Sequence, residues 1–181
     1  MKSEQLAPFL EKAKKKTFAS RFSIPKQTPD GGKEYSYQEN DFLYKDKYFG
    51  SIIDTGQELV FYKGDLIWFM SYHGGMLANQ NNLSKKCFSF LKKCLRDSLK
   101  DFPVRGKSFK KKRDFTYKNC WKGDLKEFVG KEKIFFKGKN IYFRNYLGGY
   151  SLTLYFYGKL LTLTNDQNPT YLSWSIANRM I

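Results

Sequence analysis

The chain has 181 residues, 41% hydrophobic and 18% aromatic, enough apolar material for a packed core and too much for an intrinsically disordered protein. Lys plus Arg number 33 against 17 Asp plus Glu, a formal net charge of +16, which points towards anionic partners such as nucleic acid. Three cysteines without a C-x-x-C pair argue against a disulfide framework or a closed zinc site, and no run of 18 apolar residues occurs, so a cytoplasmic location without membrane spanning is expected.

In chain order, Leu6, Phe9, Leu10 and Ala13 fall on one stripe at helical spacing and predict an N-terminal helix. Residues 18–40, rich in Pro, Gly and Ser, read as a long irregular loop. Period-two patterns with aromatic and β-branched residues then predict strands at about 41–49, 57–63 and 66–73, with a tight turn at Lys63-Gly64 and the third strand ended by Gly74-Gly75. A second helix is expected in "LSKKCFSFLKKCLRDSLKDFP", with Phe88, Leu91, Leu95 and Leu99 on its apolar stripe, Asn82 or Ser84 as cap and Pro103 as stop. Cys87 and Cys94 share a face of that helix and read as buried small apolar residues. Residues 150–181 suggest a hairpin and a short helix that would cover a sheet edge.

The strand pattern occurs twice. Asp41–Gly50 aligns with Asp114–Gly123, and Gly56–Gly75 with Gly130–Gly149; half of the thirty aligned positions are identical. The expected fold class is therefore α+β, a pseudo-two-fold duplication of an α-β-β-β unit whose six-stranded antiparallel arrangement carries the helices on it. Residues 1–152 would form one domain from repeats at about 3–75 and 84–149, with 153–181 as a C-terminal extension.

The run Ser20-Arg21, Glu39-Asn40-Asp41-Phe42-x-Tyr44-x-Asp46-x-Tyr48-x-Gly50, Gly56-x-Glu58 and Ile67-Trp68-x-Met70-x-Tyr72-x-Gly74 resembles a family of uncharacterised bacterial domains over residues 5–150. That resemblance implies a bacterial or phage origin. For relatives joined to an XRE-type helix-turn-helix regulator it also implies a role beside a DNA-binding module, although no helix-turn-helix motif precedes the domain here. It implies no assigned activity.

Glu58 and Glu132 occupy the same strand position in both copies, so a pseudo-two-fold would bring them together as paired carboxylates; the structural alternative pairs each with a surface lysine. Trp68, Tyr72, Tyr142 and Tyr146, with Tyr44, Tyr48 and Trp121 nearby, offer aromatics with polar tips for a planar ligand, or simply core. Arg21 on the long loop joins the ligand-binding candidates. Lys107, Lys110, Lys111, Lys112 and Arg113 are the phosphate-contact candidates, set against a merely solvated face. His73 is the sole histidine; no metal site, cofactor or signature of a nucleotide-binding loop or hydrolase elbow is expected.

The expected function is a non-enzymatic domain binding a small effector or protein partner where the third strands meet the 18–40 loop, in a regulatory role. One alternative is a sequence-independent nucleic-acid binder using the Lys-rich second half, where residues 101–149 carry 14 basic and five acidic residues. Another is an enzyme built on Glu58 and Glu132.

Overall fold

The computed structural model describes residues 3–151, so the expected extension at 153–181 lies outside the described residues. Two helices, α1 (Leu6–Lys16) and α2 (Ser84–Arg96), pack on one face of a nine-stranded, wholly antiparallel sheet. The strands are β1 (Lys26–Gln27), β2 (Lys33–Glu39), β3 (Phe42–Gly50), β4 (Ile53–Tyr62), β5 (Asp65–Met76), β6 (Phe109–Lys112), β7 (Phe115–Gly123), β8 (Glu127–Phe136) and β9 (Lys139–Tyr150). Their order in the sheet is β1-β2-β3-β4-β5-β9-β8-β7-β6.

The meander β3-β4-β5 and the meander β7-β8-β9 have strands of matching length, 9, 10 and 12 residues. Each carries a register shift at the same place, Val60/Phe61 and Ile134/Phe135. Where they meet, Tyr72 and Tyr146 stand directly opposite each other on β5 and β9. The expected turns form, with positive φ at both residues of Lys63-Gly64 and Lys137-Gly138, as the two-residue turns that match strand twist require.

Three sequence readings are corrected. Among the described residues the strands number nine rather than six, because β1 and β2 lie inside the supposed 18–40 loop and β6 inside the Lys-rich run. The edge strands β1 and β6 are short and polar with no alternating apolar pattern to betray them, and β2, paired on both sides, offers only Tyr35 and Tyr37 among polar residues. Gly74-Gly75 and Gly148-Gly149 do not end the third strands; β5 runs on to Met76 and β9 to Tyr150. A Cβ on Gly75 would sit 2.0 Å from the Ile52 carbonyl oxygen, so these glycines permit close backbone pairing.

The second helix stops at Arg96, and its buried stripe is Cys87, Phe90, Leu91, Cys94 and Leu95, spaced as Leu6, Phe9, Leu10, Ala13 and Lys14 are on α1. Phe88 is half-buried and Leu99 lies exposed beyond the helix, while a 3-10 turn at Asn81–Leu83 leads in without a side-chain cap. Burial raises the thiols of Cys87 and Cys94 to about 12, so both behave as small apolar side chains.

The helix-covered face holds the core. Leu6, Phe9 and Leu10 of α1 pack with Tyr44, Val60, Trp68 and Met70, and Cys87, Phe90 and Leu91 of α2 pack with Tyr117, Ile134, Ile141 and Tyr142. Among the described residues, the opposite face of the sheet bears no helix, and it is called the uncovered face in that sense.

Candidate functional site

Between the helices and the middle of the sheet lies a cluster of ionised and hydroxylated side chains. Each strand pair that crosses there sends an inward residue to it: Tyr44 and Asp46 from β3, Glu58 from β4, Tyr72 from β5, Tyr117 and Asn119 from β7, Glu132 from β8, and Tyr142, Arg144 and Tyr146 from β9. Lys14 enters from α1 and Arg105 from the segment between α2 and β6. All of them are buried.

Arg105 is the hub. Its Nε lies 3.1 Å from Glu132 Oε2, its Nη2 bonds Glu132 Oε1, and its Nη1 reaches within 3.9 Å of Glu58 Oε1. The expectation that Glu58 and Glu132 meet is thus realised through a shared arginine rather than by direct contact. Glu132 also accepts hydrogen bonds from Tyr117 Oη at 2.6 Å and Tyr142 Oη at 3.1 Å. Burial works against its ionised form, but Arg105 and these donors outweigh burial and hold Glu132 below its ordinary value.

Glu58 takes Lys14 as its other partner, Nζ to Oε2 at 2.5 Å, while the same ammonium donates to the Val104 carbonyl. Burial lowers the Lys14 pKa. Asp46 accepts from Tyr72 Oη at 2.7 Å; burial first, and then the charge of Glu58, raise its carboxyl to about 7. Arg144 pairs with Asp54 and lies with its guanidinium carbon 4.6 Å from the Tyr72 ring centre.

Three cations, Lys14, Arg105 and Arg144, therefore face Asp46, Glu58, Glu132 and Asp54, so the centre is nearly neutral and gains or loses one proton on Asp46. A cavity of about 20 Å³ remains among them beneath Phe18 and Ala19, the space of about one water molecule. The two carboxylates are thus held by Arg105 around a space of about one water molecule.

Two glycines shape the centre. A Cβ on Gly130 would meet the Tyr146 ring at 2.3–2.6 Å, and one on Gly56 would meet Tyr72 Oη at 2.6 Å. Each glycine sits directly across from its tyrosine in the register, leaving the ring room to fold over the backbone.

Of the aromatic candidates, Trp68 and Tyr142 are wholly buried, so they belong to the core rather than to an opening. Tyr72 and Tyr146 also border a hollow of about 660 Å³ on the uncovered face, lined further by His73, Trp121, Val129 and Leu147. Arg21 is exposed on the segment between α1 and β1 and is not among the residues of the centre. Missed by sequence reading were Lys14, Arg105 and Arg144. Asp46 stood in the quoted motif, where its matching spacing to Tyr44 and Tyr48 was the available signal.

The uncovered face can be followed row by row. Phe109, Lys118, Lys133 and Phe143 stand side by side across β6-β7-β8-β9; the next row is Cys120, Lys131, Asn145, His73 and Thr55, and the next Lys122, Val129, Leu147, Ser71, Gln57 and Lys47. In the first half Lys45 and Lys47 are answered by Glu34 and Asp30, at 3.8 and 2.5 Å. In the second half Lys118, Lys122, Lys131 and Lys133 have no ion pair among the described residues, and Lys118 stands 5.4 Å over the Phe135 ring. Phe109, Val129 and Leu147 are more than half exposed beside them.

Among the phosphate-contact candidates, Lys107 and Lys110 both pair with Asp97, at 2.9 and 2.8 Å. Lys111, Lys112 and Arg113 are exposed on β6 and the turn after it, without an ion pair among the described residues.

Fold and site together define an α+β domain with a two-meander sheet, a charged interior and a lysine-bearing open face. The chain belongs to the family described as domain of unknown function DUF5680, whose model matches residues 46–151. The match takes in Asp46, Glu58, Arg105, Glu132 and Arg144 and leaves Lys14 and Tyr44 outside. No curated protein and no solved structure matches the chain. Among the described residues, no helix is long and apolar enough to cross a membrane, and no group of three or more His, Cys, Asp or Glu could hold a metal ion.

Proposed function

We propose that the protein is a non-enzymatic binding domain that takes single-stranded nucleic acid across the uncovered face of β6–β9 without reading its sequence. The observation that carries this reading is the row structure of that face, where lysines without ion pairs among the described residues alternate with exposed Phe109, Val129 and Leu147 and half-buried Phe143. Cations along a backbone track and ring faces for bases are the two elements such binding requires. A regulatory role beside a DNA-binding module, and the bacterial origin that the resemblance implies, fit a domain of this kind. We further propose that the two halves are copies of one α-β-β-β unit, supported by their equal strand lengths and matching register shifts.

The test is fluorescence anisotropy of a labelled oligonucleotide over a salt series. Affinity should fall steeply as salt rises, because phosphate contacts release counterions, and Lys118→Glu with Lys133→Glu should lower it about tenfold or more at low salt. A flat salt dependence removes the reading.

A second reading rests on the hollow of about 660 Å³ between β5, β7, β8 and β9. Its size suits a small effector, as the third-strand expectation has it, and its apolar wall of Val129 and Leu147 with Lys131 at hand suits a planar anionic one. Native mass spectrometry of the protein taken from its own cell extract would report a bound mass that Leu147→Glu removes.

A further inference from the structure

We propose that a second surface, the hollow between α2 and the turn joining β6 to β7, binds a phosphomonoester, either on a free nucleotide or at the end of a nucleic-acid strand. The hollow measures about 520 Å³ and lies on the helix side of the sheet, apart from the open face, so it stands independently of the reading above. Lys85, Lys86 and Lys93 of α2 and Lys112 and Arg113 of the hairpin line it, against one carboxylate, Asp114. None of the five cations has an ion pair among the described residues. Phe90, Phe115 and Phe136 form the floor, with neighbouring ring centres 5.4 and 4.9 Å apart.

The corresponding place in the first half shows what such a surface looks like when it is neutralised. There Phe9, Phe42 and Tyr62 make the same triad at 4.9 and 4.8 Å. Lys12, three residues after Phe9, pairs with Glu39, three residues before Phe42. In the second half the residues at those spacings from Phe90 and Phe115 are Lys93 and Lys112. An ion pair has become two like charges on one hollow, an arrangement that repels itself until an anion enters.

Two further features point the same way. Lys85 and Lys86 sit in the first turn of α2, where the helix dipole disfavours cations and favours an anion beside them. Arg113 is held at φ 53°, at the turn position that Asn40 occupies at φ 51°. Lys63 and Lys137 take the same left-handed φ in their own turns, so the turn sets this backbone, and what differs from Asn40 is the cation brought to the hollow.

Thermal unfolding of the full chain tests the proposal. Adenosine monophosphate should raise the midpoint of the wild type and of Lys131→Glu by several degrees, and adenosine should not. Lys112→Glu, which recreates the Lys12–Glu39 arrangement, should unfold at a higher temperature than the wild type without ligand and lose the response to the nucleotide. A response that survives Lys112→Glu, or no response in the wild type, overturns the proposal. If a 5′-phosphorylated oligonucleotide binds at least tenfold more tightly than its 5′-hydroxyl form, and Lys112→Glu abolishes the difference, the strand end is the source; equal affinities beside an intact nucleotide response make it a free nucleotide. Failure of the open-face reading would instead appear as a flat salt dependence while this nucleotide response persists.

Discussion

The two halves share a backbone and differ in how they place charge. At the centre, Tyr72 donates to Asp46 in one half and Tyr146 donates to Asn119 in the other, at 2.7 and 2.8 Å, so one position holds a carboxyl where its counterpart holds an amide. Met70 in the first half stands where Arg144 stands in the second. Glu58 and Glu132 are the same in both, and Arg105 serves the two together. Neutrality in the interior is therefore reached across the halves rather than within either. On the surface the trend is opposite: Lys12, Lys45 and Lys47 of the first half have acidic partners, while the equivalent surfaces of the second half hold cations without an ion pair among the described residues. A repeated fold can thus hold one half as a neutral support and free the other for anions.

The strongest way to break this sharing is Arg105→Met. It should cost about 3–5 kcal/mol in chemical denaturation, because Glu132 is left buried without its counter-ion while Glu58 keeps only Lys14. Next is Gly130→Ala. Its methyl would strike the Tyr146 ring, which is itself only 2% exposed and cannot swing away, so a loss of about 1–3 kcal/mol is expected.

Asp46→Asn sharpens the comparison by making the first half like the second, with Tyr72 donating to an amide oxygen as Tyr146 does. Asp46 is raised to about 7, so the folded protein keeps a proton there that the unfolded chain releases near the ordinary value of about 4. Through this group, stability falls as pH rises from about 4 to 7 and levels off above that; from pH 8 to 5.5 the wild type should gain on the order of 1–2 kcal/mol. The substitution should flatten that slope in denaturation curves across the window. Glu132, held low, acts in the opposite sense, its contribution being lost only in acid as its carboxylate is protonated. The smallest effect belongs to Lys131→Glu with Lys133→Glu, which should leave the unfolding midpoint unchanged while weakening oligonucleotide binding, since neither side chain is buried.

Much of this was legible from the residues alone. Period-two patterning and the Lys-Gly dipeptides located six strands and two turns, because alternation and positive φ are local demands. Repetition placed Glu58 and Glu132 in equivalent positions, which is why their meeting could be expected. Arg105 could not be found the same way: it lies on an irregular segment, has no counterpart in the repeat, and matters only because the chain folds it between the two glutamates. Lys14 stands among other lysines at the end of α1, where a cation complements the helix dipole, and nothing local distinguishes it; yet it is the one charged side chain of that helix that is buried. Strand β6, with the sequence Phe-Lys-Lys-Lys, looked like a charged loop because an edge strand needs no apolar face.

By itself the sequence determined the elements and their repetition, since spacing, turn chemistry and side-chain type act over a few residues. Only the tertiary structure decided which charges are neutralised and which stay open, because ion pairing depends on distances between residues as far apart as Lys14 and Glu58 or Arg105 and Glu132, and those distances exist only once the sheet has brought β4, β8 and the helices together.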